Sequence, residues 1–188
     1  MNRKSCLALI VLCICILAFT IGCSTKTSPI KPLKKSNYLL GTVVDITLYD
    51  SDNVEIIDKA FDRIREIEEK MSINVDNTSE IIELNEASGS HGVKLSPDTF
   101  SVVERGKFFS ELSKGKFDIT IAPIVKLWNI GSEYAAVPES EELKDAMELV
   151  NYQELELDKD SLKARLKTRG MKVDLGAIAK GYAADEVA

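Results

Sequence analysis

The chain has 188 residues, a formal net charge of −6 and 45% hydrophobic residues. That length can bury one substantial core, and the acidic balance argues against a nucleic-acid partner. Of the four cysteines, Cys6, Cys13 and Cys15 precede residue 22 and Cys23 follows it. A domain beginning after that point has no cysteine pair for a disulfide and no thiolate metal site.

Residues 1–22 have the form of a secretory signal. Asn2-Arg3-Lys4 is basic, Cys6 to Ile21 is uncharged and apolar, and Gly22 is small. The apolar run is short for a membrane-spanning helix. The Gly22-Cys23 junction resembles the lipobox of bacterial lipoproteins. That resemblance implies lipid modification of Cys23 and a domain held at the extracytoplasmic face of the cell membrane. Residues 23–37 place Lys26, Lys31, Lys34 and Lys35 among Ser, Thr and Pro and read as a flexible, mildly basic tether. The folded domain is expected over 38–188.

Tyr38 to Tyr49 reads as one strand, with Val44, Ile46 and Leu48 alternating against Asp45 and Thr47. Asn53 to Met71 reads as an amphipathic helix with Ile56, Ile57, Ala60, Phe61, Ile64, Ile67 and Met71 on its apolar face. A polar turn over 76–80 leads to a short helix from Ser79 to Glu86, then a loop to Gly92. His91, the single histidine, falls in that loop and matches no motif.

Ser96-Pro97-Asp98 is an N-cap signal for a helix to about Lys114, with Phe100, Val103, Phe108 and Leu112 expected inward. Phe117 to Ile121 reads as a strand and Ala122 to Leu127 as a helix ended by Trp128-Asn129-Ile130-Gly131. Pro138-Glu139-Ser140-Glu141 opens a helix to Val150. A hairpin turning at Lys159-Asp160 joins strands around 155–157 and 162–166, and a last strand covers 172–175. This irregular alternation predicts an α+β fold with mixed or antiparallel sheets packed against helices.

The segment from Val173 to Asp185 carries the most chemistry. An apolar run ends in Asp174, turns through Gly176-Ala177, and enters a small-residue helix with Lys180 in its first turn. Free amides at such a helix start, with a lysine nearby, suit a phosphate-bearing ligand. The same pattern also suits close packing of a helix on a sheet, and it matches neither the G-x-G-x-x-G nor the P-loop pattern.

Four pieces in order resemble the ApbE family of FAD:protein FMN transferases. They are Leu40-Gly41-Thr42; Met71-Ser72 with Ser79-Glu80-Ile81 and Asn85; Phe117-Asp118-Ile119-Thr120-Ile121-Ala122-Pro123-Ile124 with Leu127-Trp128; and Asp174-Leu175-Gly176-Ala177-Ile178-Ala179-Lys180-Gly181. The resemblance covers 38–188 and implies the ApbE-like flavin transferase fold. The implied activity is a Mg²⁺-dependent transfer of FMN from FAD to a Thr or Ser hydroxyl of a target flavoprotein, with release of AMP. FAD is then a substrate, and the acceptors are exported or membrane-bound flavoprotein subunits of electron-transfer complexes.

Carried over by position, Asp174 and Lys180 contact FAD; Phe117, Asp118 and Ile119 line the cofactor site; and Leu40 touches the flavin. Asn74 stands where the family often has an aromatic beside the isoalloxazine. Ala177 offers its backbone carbonyl to the metal. Pro123 and Trp128 are structural.

Family members are about twice this length, and their second half supplies the remaining metal carboxylates. The chain therefore reads as an N-terminal portion, truncated at the C-terminus, with an open sheet edge, low stability and little activity alone. A non-enzymatic FAD-binding lipoprotein and an FAD pyrophosphate hydrolase are the alternatives; a periplasmic solute-binding lipoprotein fits the signal but not the motifs.

Overall fold

A computed structural model of the chain describes residues 31–74, 78–130 and 132–188. The signal, Cys23 and the first part of the tether lie outside the described residues, as do 75–77 in the polar turn and Gly131.

The region read as one strand is a hairpin. Strand β1 (Leu33–Leu39) pairs antiparallel with β2 (Thr42–Leu48), Leu39 facing Thr42. The turn is Leu40-Gly41, both with positive φ, 53° and 68°. Two residues in that conformation match the twist of the flanking strands, which is why the loop closes in two residues. The fold thus begins within the segment read as tether: Leu33 to Asn37 are in β1, with Lys34 paired to Asp45 at 2.8 Å and Lys35 to Asp58 at 2.6 Å.

Helix α1 (Val54–Met71) starts where Asn53 accepts a hydrogen bond from the Glu55 amide, and it buries Ile57, Phe61, Ile64, Ile67 and Met71. Ile56 stays 45% exposed. Helix α2 (Glu80–Glu86) is capped by Ser79 and buries Ile81, Leu84 and Asn85. Glu80 then accepts from both the amide and the hydroxyl of Ser96, at 2.9 and 3.0 Å, which fixes the start of α3 (Pro97–Leu112).

On α3 the buried positions are Thr99, Phe100, Val102, Val103, Gly106 and Ser110. Phe108 and Leu112, expected inward, are 46% and 67% exposed. At 3.6 residues per turn, Phe108 lies about 200° round the axis from buried Gly106. The sequence does not reveal this phase because apolar residues occupy both sides of the helix.

Phe117 to Ile121 is a turn, not a strand. Only Ile121 makes a bridge, parallel to Lys172, so the expected strand over 172–175 is likewise a single bridge within an extended segment. Helix α4 (Ala122–Trp128) ends on left-handed Asn129, and α5 (Ser140–Met147) stops short of Val150.

A 3-10 turn (Tyr152–Glu154) leads into β4 (Leu155–Asp158) and β5 (Lys163–Leu166). These strands join β3 (Val93–Lys94), which the sequence reading missed, in an antiparallel sheet of order β3-β5-β4. Leu155, Ala164 and Leu166 close its inner face over the core. Helix α6 (Ala179–Val187) packs against α1. The α+β expectation holds. Among the described residues no helix is long and apolar enough to cross a membrane.

Candidate flavin-binding site

The site is built on the 172–180 segment, which is held by one buried side chain. Asn85 Nδ2 donates to the Val173 carbonyl at 3.0 Å, and the Val173 amide donates to Asn85 Oδ1 at 2.6 Å. A central strand would satisfy these groups from a neighbouring backbone; here a helix side chain does so instead. The next amide, Asp174 N, donates to the Ile119 carbonyl at 2.8 Å. Two motifs more than fifty residues apart in sequence therefore meet through their backbones.

Asp174 then folds back on its own turn, its Oδ1 accepting from the Gly176 amide at 2.7 Å. A Cβ at 176 would stand 3.0 Å from that oxygen, so glycine is what lets the carboxylate close the turn. No side chain caps α6, and Lys180 Nζ reaches the Gly176 carbonyl at 3.2 Å. Lys180 and Ala177 are exposed, whereas Asp174 is half-buried.

The other turn is tied down by Asp118. Its Oδ1 accepts from the amide and hydroxyl of Thr120 at 2.8 and 2.7 Å, and its Oδ2 from the Tyr152 amide at 2.9 Å. Thr120 Oγ1 accepts in turn from the Asn151 amide at 2.9 Å. Asp118 Oδ1 thus closes the turn on itself, while its Oδ2 ties the turn to the 3-10 segment. Ile119 is buried, and the Phe117 amide donates to Ser113 Oγ at 3.0 Å.

The expected residues fall on two sides of this junction. Leu40 and Lys180 line one slot of about 410 Å³ between β2 and α6, together with Val44, Ala184 and Val187. Phe117, Ala177 and Ile178 line an apolar groove of about 310 Å³ with Phe109 and Leu112 of α3. A third cleft, of about 680 Å³, runs between α3 and α6; there the Arg105 guanidinium lies 5.1 and 4.8 Å from the Phe108 and Phe109 ring centres. Asn74 lines none of these three: it is exposed past the end of α1, its amide donating to Ser72 Oγ at 3.1 Å.

Residues outside the expected set also shape the site. Asn85 appeared only as part of a motif. Its signal was a polar residue on the apolar face of a short helix, in step with Ile81 and Leu84. Arg63 and Asp98, 2.9 Å apart, carried no signal, because charged residues on amphipathic helices normally face water. Arg63 holds the Asp98 carboxyl far below the usual carboxylate range. Burial, then the bond to Asp98, pushes the Tyr182 hydroxyl up to about 12.

The described residues do not by themselves make a magnesium site. Mg²⁺ asks for several oxygen donors in near-octahedral array. Asp118 spends both oxygens, and Asp174 one of its two, on hydrogen bonds within the chain, and Ala177 brings one neutral carbonyl. Among the described residues no group of three or more His, Cys, Asp or Glu is placed to hold a metal.

The ApbE family model matches residues 40–188. The chain belongs to the ApbE family. An FAD:protein FMN transferase of Klebsiella pneumoniae is 34% identical over 152 residues, covering 81% of this chain and 48% of that protein. One of Treponema pallidum is 30% identical over 183 residues, covering 93% and 50%. The crystal structure of the ApbE protein from Thermotoga maritima superposes with a TM-score of 0.76 at 27% identity, covering 84% of this chain and 51% of that one. The chain spans about half the length of each of these ApbE relatives.

Proposed function

We propose that this chain carries the FAD-binding part of an FAD:protein FMN transferase, which moves FMN from FAD to a Thr or Ser hydroxyl of a target flavoprotein and releases AMP. The observation that carries the reading is the hydrogen bond from Asp174 N to the Ile119 carbonyl, which joins the two longest family motifs beside the slot shared by Leu40 and Lys180. In this reading the Lys180 ammonium faces a phosphate of FAD, the small Gly176-Ala177 turn admits the pyrophosphate, and Leu40 and Phe117 offer apolar surface to rings. Asp118 holds the turn in shape and contacts the cofactor through the backbone around it.

Mg²⁺ dependence is part of the proposal. The Ala177 carbonyl would be one donor, with the other oxygens supplied from outside the described residues. The acceptors would be exported or membrane-bound flavoprotein subunits of electron-transfer complexes. Cys23 would anchor the protein by lipid at the extracytoplasmic face; the support is the basic-apolar-Gly-Cys pattern of residues 2–23.

The test is to incubate the full chain with FAD, Mg²⁺ and a threonine-bearing acceptor, measuring AMP, free FMN and protein-linked flavin separately. Linked flavin supports transfer, free FMN supports hydrolysis, and FAD retention without AMP supports a binding protein. Absence of all three would sink the flavin reading for this chain. Labelled palmitate incorporated by the native chain but not by Cys23→Ser tests the anchor.

A further inference from the structure

Helix α6 bears the Lys180 face of the slot, yet little in the helix itself holds it in place. It has nine residues, fewer than the roughly 12–15 that an isolated helix needs, and it contains Gly181. Its start lacks a side-chain cap, and its buried residues are Ala179 and Ala183, one methyl each. So small a buried stripe sets the rotation of a helix only loosely, because alanines make no ridge that locks into a groove.

A polar clasp beside that stripe, on the side away from Lys180, adds to the packing of half-buried Tyr182 and Val187 on the core. Tyr182 and Glu186, four residues apart, share one side of α6. The Tyr182 hydroxyl donates to Asp98 Oδ1 at 3.0 Å, and Arg63 Nε donates to Glu186 Oε2 at 3.1 Å. Arg63 Nη1 bonds Asp98 Oδ2 at 2.9 Å and Glu66 Oε2 at 3.0 Å. Lys70 completes the group, 2.6 Å from Glu66 and 3.3 Å from Asp98. The Arg63 and Asp98 side chains are only 24% and 23% exposed, so this is a shielded network spanning α1, α3 and α6 rather than a loose surface pair. Lys180 lies two residues from Tyr182, about 200° round the helix, so any rotation permitted at the clasp swings the lysine along the slot.

We propose that Arg63 and Asp98, which lie in none of the family motifs quoted above, are positioning residues for the ligand face of α6, acting through Tyr182 and Glu186. The inference rests on the flavin reading of the Leu40–Lys180 slot. It adds that ligand affinity there depends on a fork-shaped donor reaching two acids at once, which an ammonium cannot reproduce.

The experiment uses the full chain with FAD as the probe. Binding is followed by flavin fluorescence, and backbone hydrogen exchange is followed in α6 and α2. Tyr182→Phe removes one hydroxyl and leaves the ring. Arg63→Met and Arg63→Lys remove the fork without and with retention of charge. The expected result is exchange in α6 faster by about tenfold or more with α2 unchanged. FAD affinity should fall about fivefold or more in all three variants, with Arg63→Lys grouping with Arg63→Met.

Unchanged affinity in Tyr182→Phe and Arg63→Met overturns the proposal. So does full rescue by lysine, or equal acceleration of α2 and α6, which would mark plain destabilisation. Failure of the unsubstituted chain to bind FAD is a different result: it removes the flavin reading and the ligand clause with it, while the exchange pattern still decides whether the clasp orients α6.

Discussion

Asn85 grips the Val173 peptide on both sides, donating to its carbonyl at 3.0 Å and accepting from its amide at 2.6 Å. One amide side chain thereby does for the last motif what a neighbouring strand would do. Because Asn85 is only 8% exposed, water cannot take over when it is removed. Asn85→Ala should cost about 2–5 kcal/mol, the sum of two backbone groups left buried and unpaired. Asn85→Asp should be no better, since a carboxylate cannot donate to the carbonyl. Urea unfolding at neutral pH measures both, and a loss below about 1 kcal/mol would show that the segment is held elsewhere.

Asp118 is bonded to the protein through both carboxylate oxygens, so its substitution should register in stability before any ligand is added. Asp118→Asn places an N–H against one of the three donors now served, Thr120 N, Thr120 Oγ1 or Tyr152 N. The expected loss is about 1–3 kcal/mol. If ligand-free Asp118→Asn unfolds at the same urea concentration as the parent, the carboxylate is not the anchor of the turn.

Gly106 of α3 packs directly on Ile119 of that turn. A Cβ there would stand 2.8 Å from Ile119 Cγ2 and 3.0 Å from its Cδ1. Gly106→Ala gains helix propensity but pushes on a buried side chain whose carbonyl receives the Asp174 amide. A net cost of about 1–3 kcal/mol follows from overpacking. Calorimetry would refute this if the variant melted at or above the parent temperature.

Stability should depend on pH through the Arg63–Asp98–Tyr182 group. Asp98 is held far below its unfolded value of about 3.9, chiefly by Arg63. A depressed carboxylate contributes stability that is complete above the unfolded value and fades as pH falls below it. The difference in unfolding free energy between the parent and Asp98→Asn should therefore shrink steadily from pH 4 downward.

Tyr182 gives the opposite limb. Its hydroxyl is raised to about 12, so the folded state keeps a proton that the unfolded chain loses from about pH 10. Stability should drop across that interval in the parent and less in Tyr182→Phe. Parallel curves for parent and variant at either end would contradict the assignment at that end.

Much of the architecture was legible in the sequence because it rests on short-range rules. Ser96 caps the helix it announced, the helical spans opened at Asn53 and Ser79 begin there with those residues as caps, and the 155–166 hairpin turns where Lys159-Asp160 predicted. The family motifs were equally plain, since the two longest are built on runs of eight residues, within which Asp174 bonds its own turn at Gly176.

What the sequence by itself determined was the α+β class, the helix starts, the motifs and the family. Tertiary structure alone decided which partners complete each local piece. The 117–121 and 172–175 runs have strand composition, yet Asn85, Tyr152 and Asn151 satisfy backbone and side-chain groups there, so no sheet forms around them. The exposed side of α3 and the placing of Leu40 beside Lys180 depend on helix phase and on a two-residue turn. The clasp on α6 joins residues more than a hundred positions apart. Local patterning carries no record of such distances, because the energy that selects them comes from burying groups that meet only after the chain has folded.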